Sequence, residues 1–104
     1  MEKDYFEQIR VRLCLRDSAI ALGKMMSSEA VTYRGKVFAF FSGRNTMVFK
    51  LGKSYDLSAD SIEIAVFNPF TKRPPLYGWF EIPYSHAQYW FDYALKALTH
   101  VKSV

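Results

Sequence analysis

The stretch Val31-Thr32-Tyr33-Arg34-Gly35-Lys36-Val37-Phe38-Ala39-Phe40-Phe41-Ser42-Gly43-Arg44-Asn45-Thr46-Met47-Val48-Phe49-Lys50-Leu51 decides the fold. It holds apolar runs divided by two turn signals. Arg34-Gly35 turns a first strand, read over residues 25 to 33. Val37-Phe38-Ala39-Phe40-Phe41 is unbroken and apolar, which suits a central strand. Ser42-Gly43-Arg44-Asn45 is a turn whose glycine can take positive φ. In the next strand Met47, Phe49 and Leu51 share one face, and Thr46, Val48 and Lys50 the other, because strand side chains alternate. The stretch predicts a meander of two hairpins.

Toward the N-terminus, the spacing predicts a helix over residues 4 to 21. Asp4 with Glu7 three residues on fits an N-cap pattern that satisfies the first free N–H groups. Phe6, Ile9, Leu13 and Ile20 lie near one face, with Val11 and Leu15 less regular, while Arg10, Arg12 and Arg16 spread around the other side. Gly23 sits where a helix stop belongs. Toward the C-terminus, Asp60 with Glu63, or Ser58, suits the start of a short helix within residues 57 to 64. Ala65-Val66-Phe67 reads as a short strand, and the prolines of residues 68 to 75 as a loop. Residues 77 to 82 form a strand stopped by Pro83. Ser85 with Gln88 is a capping-box pattern, followed by Ala87, Trp90, Phe91, Ala94, Leu98 and Val101 at helical spacing. The expected order is α-β-β-β-(α)-β-β-α: an α+β two-layer sandwich with helices on one face of an antiparallel sheet.

A length of 104 residues argues for one domain over residues 1–104. Half the residues are hydrophobic and 17% aromatic. A chain this short gains stability from large buried rings, so the aromatic richness reads as core. The single cysteine, Cys14, excludes an internal disulfide and suits a reducing compartment. The polar opening Met1-Glu2-Lys3-Asp4 leads into no apolar signal-like segment, and the longest run free of Asp, Glu, Lys and Arg, residues 82 to 91, is far short of the ~20 apolar residues of a membrane helix. The expectation is a cytoplasmic protein with no membrane partner.

The net charge of +4 is unevenly spread. Residues 24 to 53 carry six bases (Lys24, Arg34, Lys36, Arg44, Lys50 and Lys53) against one acid, Glu29. These six are the candidate contacts for an anion or nucleic acid. Lysines on strand edges also block unwanted pairing.

Catalytic and metal chemistries find little support. Gly52-Lys53-Ser54 resembles the end of a phosphate-binding loop, but the motif's first glycine falls on Met47. His86 and His100 lie about 21 Å apart if one helix holds both, at 1.5 Å rise per residue, and no cysteine pair exists. Cys14 sits mid-helix, where cysteine is usually a small buried hydrophobe. No nucleophile, base and oxyanion donors assemble. The expectation is a protein that is not an enzyme, with no catalytic residue, metal or cofactor.

Two ordered sets of residues carry a resemblance. The first is Gly23-Lys24-Met25-Met26, Val31-Thr32-Tyr33-Arg34-Gly35-Lys36-Val37-Phe38-Ala39 and Met47-Val48-Phe49-Lys50-Leu51. The second is Phe67-Asn68-Pro69, Arg73-Pro74-Pro75-Leu76-Tyr77-Gly78-Trp79-Phe80-Glu81-Ile82-Pro83, then Trp90 and Ala94-Leu95. Together they resemble the N-terminal domain of the TfoX (Sxy) competence regulators and the related YjbR-like proteins. The chain departs from that pattern at Met25-Met26-Ser27-Ser28, where the family usually has Met-Phe-Gly-Gly. The resemblance implies a fold like the type III secretion chaperones, a non-enzymatic role linked to transcription or competence for DNA uptake, and no catalytic residues.

Two functional expectations follow. One is a small binding or regulatory domain of the TfoX N-terminal type, touching nucleic acid through the six bases. The other is a protein-interaction or homodimerising domain without nucleic-acid binding. A small-molecule binder would instead need a concave pocket with convergent polar groups.

Overall fold

Asp17 ends the first helix. The computed structural model describes residues 2–25, 28–42, 46–56, 60, 62–68 and 77–103. Helix α1 spans Glu2–Arg16. The Asp17 carboxylate accepts the Ala19 N–H at 2.9 Å, and the Ile20 N–H returns to the Asp17 carbonyl at 3.0 Å. Such local bonding competes with the helical ladder. The helix therefore stops short of residue 21, and the chain extends into strand β1, Ile20–Met25. Gly23, expected as a helix stop, lies in β1 opposite Ala30. A Cβ there would come within 2.7 Å of Thr32 Cγ2, so this position has no room for a larger side chain unless Thr32 moves.

The single strand expected over residues 25 to 33 is thus the second half of a hairpin. β1 pairs with β2, Ser28–Tyr33, and β3, Lys36–Phe41, pairs with β2. Then come β4, Thr46–Lys50; β5, Ala65–Val66; and β6, Trp79–Pro83. Among the described residues these six strands pair antiparallel in the order β1-β2-β3-β4-β6-β5. The chain is α+β, and its described residues hold one strand more than the local patterns predict. The short helix expected within residues 57 to 64 falls partly outside the described residues. Ile62, Glu63 and Ile64 are not helical, and Asp60 accepts hydrogen bonds from Tyr55 and Tyr93. Most of the proline-rich loop and the tip of the β3–β4 turn also lie outside the described residues.

The apolar run of β3 is explained by a bulge. Val31 pairs with Ala39, but the next residue, Thr32, pairs with Val37. Phe38 is the extra residue, which places Phe38 and Ala39 on the same face. They join Phe6, Ile9 and Leu13 of α1 in the main core. Phe40 points the other way, to a second cluster with Ala30, Val48 and Phe67. The sheet is apolar on both faces, while both helices cover the same one. Trp79 and Phe80 divide as alternation requires: Phe80 enters the main core and Trp79 packs on Phe40 at 5.6 Å.

Arg10 breaks the expected pattern of α1. Instead of facing solvent it is 5% exposed, with its guanidinium 5.3 Å from the Phe6 ring and 3.2 Å from Glu7. Glu29 of β2 lies 3.7 Å away. The Arg12 guanidinium lies over the Phe91 ring, 3.8 Å from its centroid.

After Pro83 the chain makes a 3-10 helix, Tyr84–Tyr89, and then α2, Trp90–Lys102. The capping box expected at Ser85 and Gln88 does not form, because both residues lie inside the 3-10 turn and neither helix has a side-chain cap. The His86 backbone is non-helical (φ −117°, ψ 28°) and kinks the chain within the 3-10 segment. The apolar face of α2 is as its spacing predicts, with Trp90, Ala94, Leu98 and Val101 buried. Trp90 is fully buried and its indole N–H donates to the Ile82 carbonyl at 3.0 Å.

Candidate anion-binding end of the sheet

The β2–β3 turn gathers the first cations. Arg34 and Gly35 have φ of 50° and 83°, the positive values that a type I′ hairpin requires at both central positions. The two-residue turn leaves Tyr33 opposite Lys36. β3 runs antiparallel to β4, so the start of β3 at Lys36 and the end of β4 at Lys50 lie at the same end of the sheet. The last turn of α2 also reaches this end. Lys102 Nζ stands 5.3 Å from the Tyr33 ring and the Arg34 guanidinium 5.5 Å from it. Tyr33, Arg34, Lys36, Val101 and Lys102 line a recess of about 160 Å³.

One acid tempers this charge. Asp17 lies 3.2 Å from Lys102. The Ala19 amide and then the Lys102 ammonium hold its carboxyl below the ordinary 3.8, with Arg34 adding to the effect. Asp17 is therefore ionised at neutral pH and fixes Lys102 beside the recess.

The six bases found along the sequence do not form one patch. Arg34 and Lys36 meet at the recess. Lys50 shares that end of the sheet but lies on the helix-free face, 5.8 Å from the Trp79 ring. Lys53 is exposed beside Gly78. Lys24 sits toward the other end of the sheet, opposite Glu29 on β2. Arg44 lies outside the described residues. Lys102, Tyr33 and Asp17 complete the recess, a grouping that charge along the chain does not reveal. The basic last turn of α2 was visible in the sequence, but its place beside the β2–β3 turn comes from helix packing.

The N–H groups of Leu51 and Gly52 both donate to the Gly78 carbonyl, at 3.0 and 3.1 Å, so they do not cradle a phosphate. Gly52 has φ 98° and lies under the His100 ring. Cys14 is half-buried with a free thiol. His86 and His100 stand in different helical segments, and no group of three or more His, Cys, Asp or Glu suited to a metal gathers among the described residues. Tyr93 is buried, and burial followed by its hydrogen bond to Asp60 raises its phenol well above the ordinary 10.0. Among the described residues no helix is long and apolar enough to cross a membrane.

No family model, curated protein or solved structure matches this chain.

Proposed function

We propose that this chain is a non-enzymatic binding domain of the TfoX N-terminal type, with a regulatory role tied to transcription or competence, that contacts nucleic-acid phosphates through the basic end of its sheet. The observation that carries the reading is the recess where Arg34, Lys36 and Lys102 converge around Tyr33. Clustered bases with few acids are what counterion release from a phosphate backbone requires. Lys50 and Lys53 at the same end extend the contact on the other side of the turn.

The test is a fluorescence titration of labelled duplex DNA at about 50 and 200 mM salt. Binding should weaken steeply between the two. Arg34→Glu and Lys36→Glu should each weaken it and reduce the salt slope by about 1. Lys24→Glu, at the far end of the sheet, should leave both unchanged. No binding at the lower salt, or equal loss from Lys24→Glu, removes the basic end as the contact surface.

A further inference from the structure

We propose, resting on the nucleic-acid reading above, that the recess beside Tyr33 seats one terminal phosphate monoester of a strand, so that the domain prefers phosphorylated strand ends to hydroxyl ends.

The size of the recess limits what enters it. Its volume is about 160 Å³. An engineered cavity of about 150 Å³ holds a single benzene, and sites for drug-sized molecules begin at about 300 Å³. One phosphate group fits, and a whole nucleoside does not. Tyr33, Arg34 and Lys36 of the β2–β3 turn form one wall, and Val101 and Lys102 of the last turn of α2 form the other. An internal phosphodiester carries a sugar on both sides. A terminal phosphate carries a sugar on one side only and can enter such a recess end-on.

The charge of the walls matches a dianion. Arg34, Lys36 and Lys102 line the recess, and the Asp17 carboxylate stands 3.2 Å from Lys102. Three cations and one carboxylate leave a formal charge of +2. A phosphate monoester carries about −1.5 to −2 at pH 7 and three strong acceptor oxygens. An internal diester carries a single charge. The monoester therefore gains more from these three donors than any phosphate within a strand.

Two of the three cations are in place before a ligand arrives. Lys102 is held between the Asp17 carboxylate and the Tyr33 ring, 5.3 Å from the ring centroid. The Arg34 guanidinium lies 5.5 Å from the centroid of the same ring. The Arg34 main chain is also pinned, because its N–H donates to the Ala19 carbonyl at 3.0 Å and its φ of 50° belongs to the tight turn. Side chains already ordered lose less freedom on binding. Tyr33 is thus a positioning residue for both cations.

The experiment titrates the whole chain into one labelled duplex whose ends are 5′-hydroxyl, 5′-phosphate or 3′-phosphate, at a single salt concentration. At least one phosphorylated form should bind on the order of tenfold more tightly than the hydroxyl form. Lys36→Gln and Lys102→Gln should each lower that preference about threefold or more, while Lys24→Gln should leave it unchanged. Circular dichroism shows whether each variant is folded, and Lys36→Gln, at an exposed position, decides if Lys102→Gln is not. Inorganic phosphate, set against chloride at equal ionic strength, should remove the preference only far above the duplex concentration. Competition as tight as that of the phosphorylated duplex would make the recess a free-phosphate site and overturn its assignment to strand ends. Equal affinity for all three duplexes overturns the end preference and leaves contact with the phosphate backbone standing. No binding to any of them overturns both. A preference lost equally in Lys24→Gln lies outside the recess and overturns the proposal as well.

Discussion

Gly35 holds a left-handed backbone in the β2–β3 turn. Its φ is 83° and nothing lies within 4 Å of where a Cβ would stand. Gly35→Ala therefore meets no steric neighbour, and its cost is the left-handed backbone alone, about 1 kcal/mol. Urea denaturation measures it. A loss well above about 2 kcal/mol would mean that the turn makes contacts beyond its own backbone. Asp17 carries a pH prediction. Its folded pKa lies below the ordinary 3.8 because the Ala19 amide and Lys102 favour the carboxylate. A carboxyl shifted this way contributes stability above its unfolded pKa and loses it as pH falls through the folded value. Asp17→Asn should reduce stability at neutral pH and approach wild type in strong acid. Equal destabilisation at both pH values would show that Asp17 acts through its turn geometry rather than its charge.

Among the elements, α2 is held most firmly by Trp90. The residue is 0% exposed and spans from the helix to the Ile82 carbonyl. Trp90→Ala should cost about 3–5 kcal/mol by denaturation. A loss below about 1 kcal/mol would mean that the helix does not rest on this side chain. The apolar spacing of α2 was legible because it repeats over several turns, whereas its start was not. Ser85 and Gln88 have capping-box chemistry, but the chain leaves Pro83 in a 3-10 turn and a cap needs the helix to begin at once. The N-terminal third misled for a related reason. Ile20 continues the periodicity of Phe6, Ile9 and Leu13, yet Asp17 diverts the chain so that Ile20 reaches the same core from a strand. Phe38 and Ala39 illustrate a third case, since a bulge is set by pairing with β2 and leaves no mark in the run Val37 to Phe41.

At the scale of the whole molecule, charge and exposure take their meaning from long-range pairing. Arg10 has the chemistry of a surface residue and is buried between Phe6, Glu7 and Glu29. Lys24 and Lys36 belong to one basic segment of the chain but lie toward opposite ends of the sheet. Lys102, distant in sequence, joins Arg34 and Lys36 at the recess. The α+β class, the hairpin at Arg34-Gly35 and the buried face of α2 were readable directly, because turn chemistry and periodicity act between residues a few positions apart. The extra strand, the bulge and the basic recess depend on which strands pair and where the helices pack. Those contacts join residues far apart in the chain, so no local pattern of side chains specifies them.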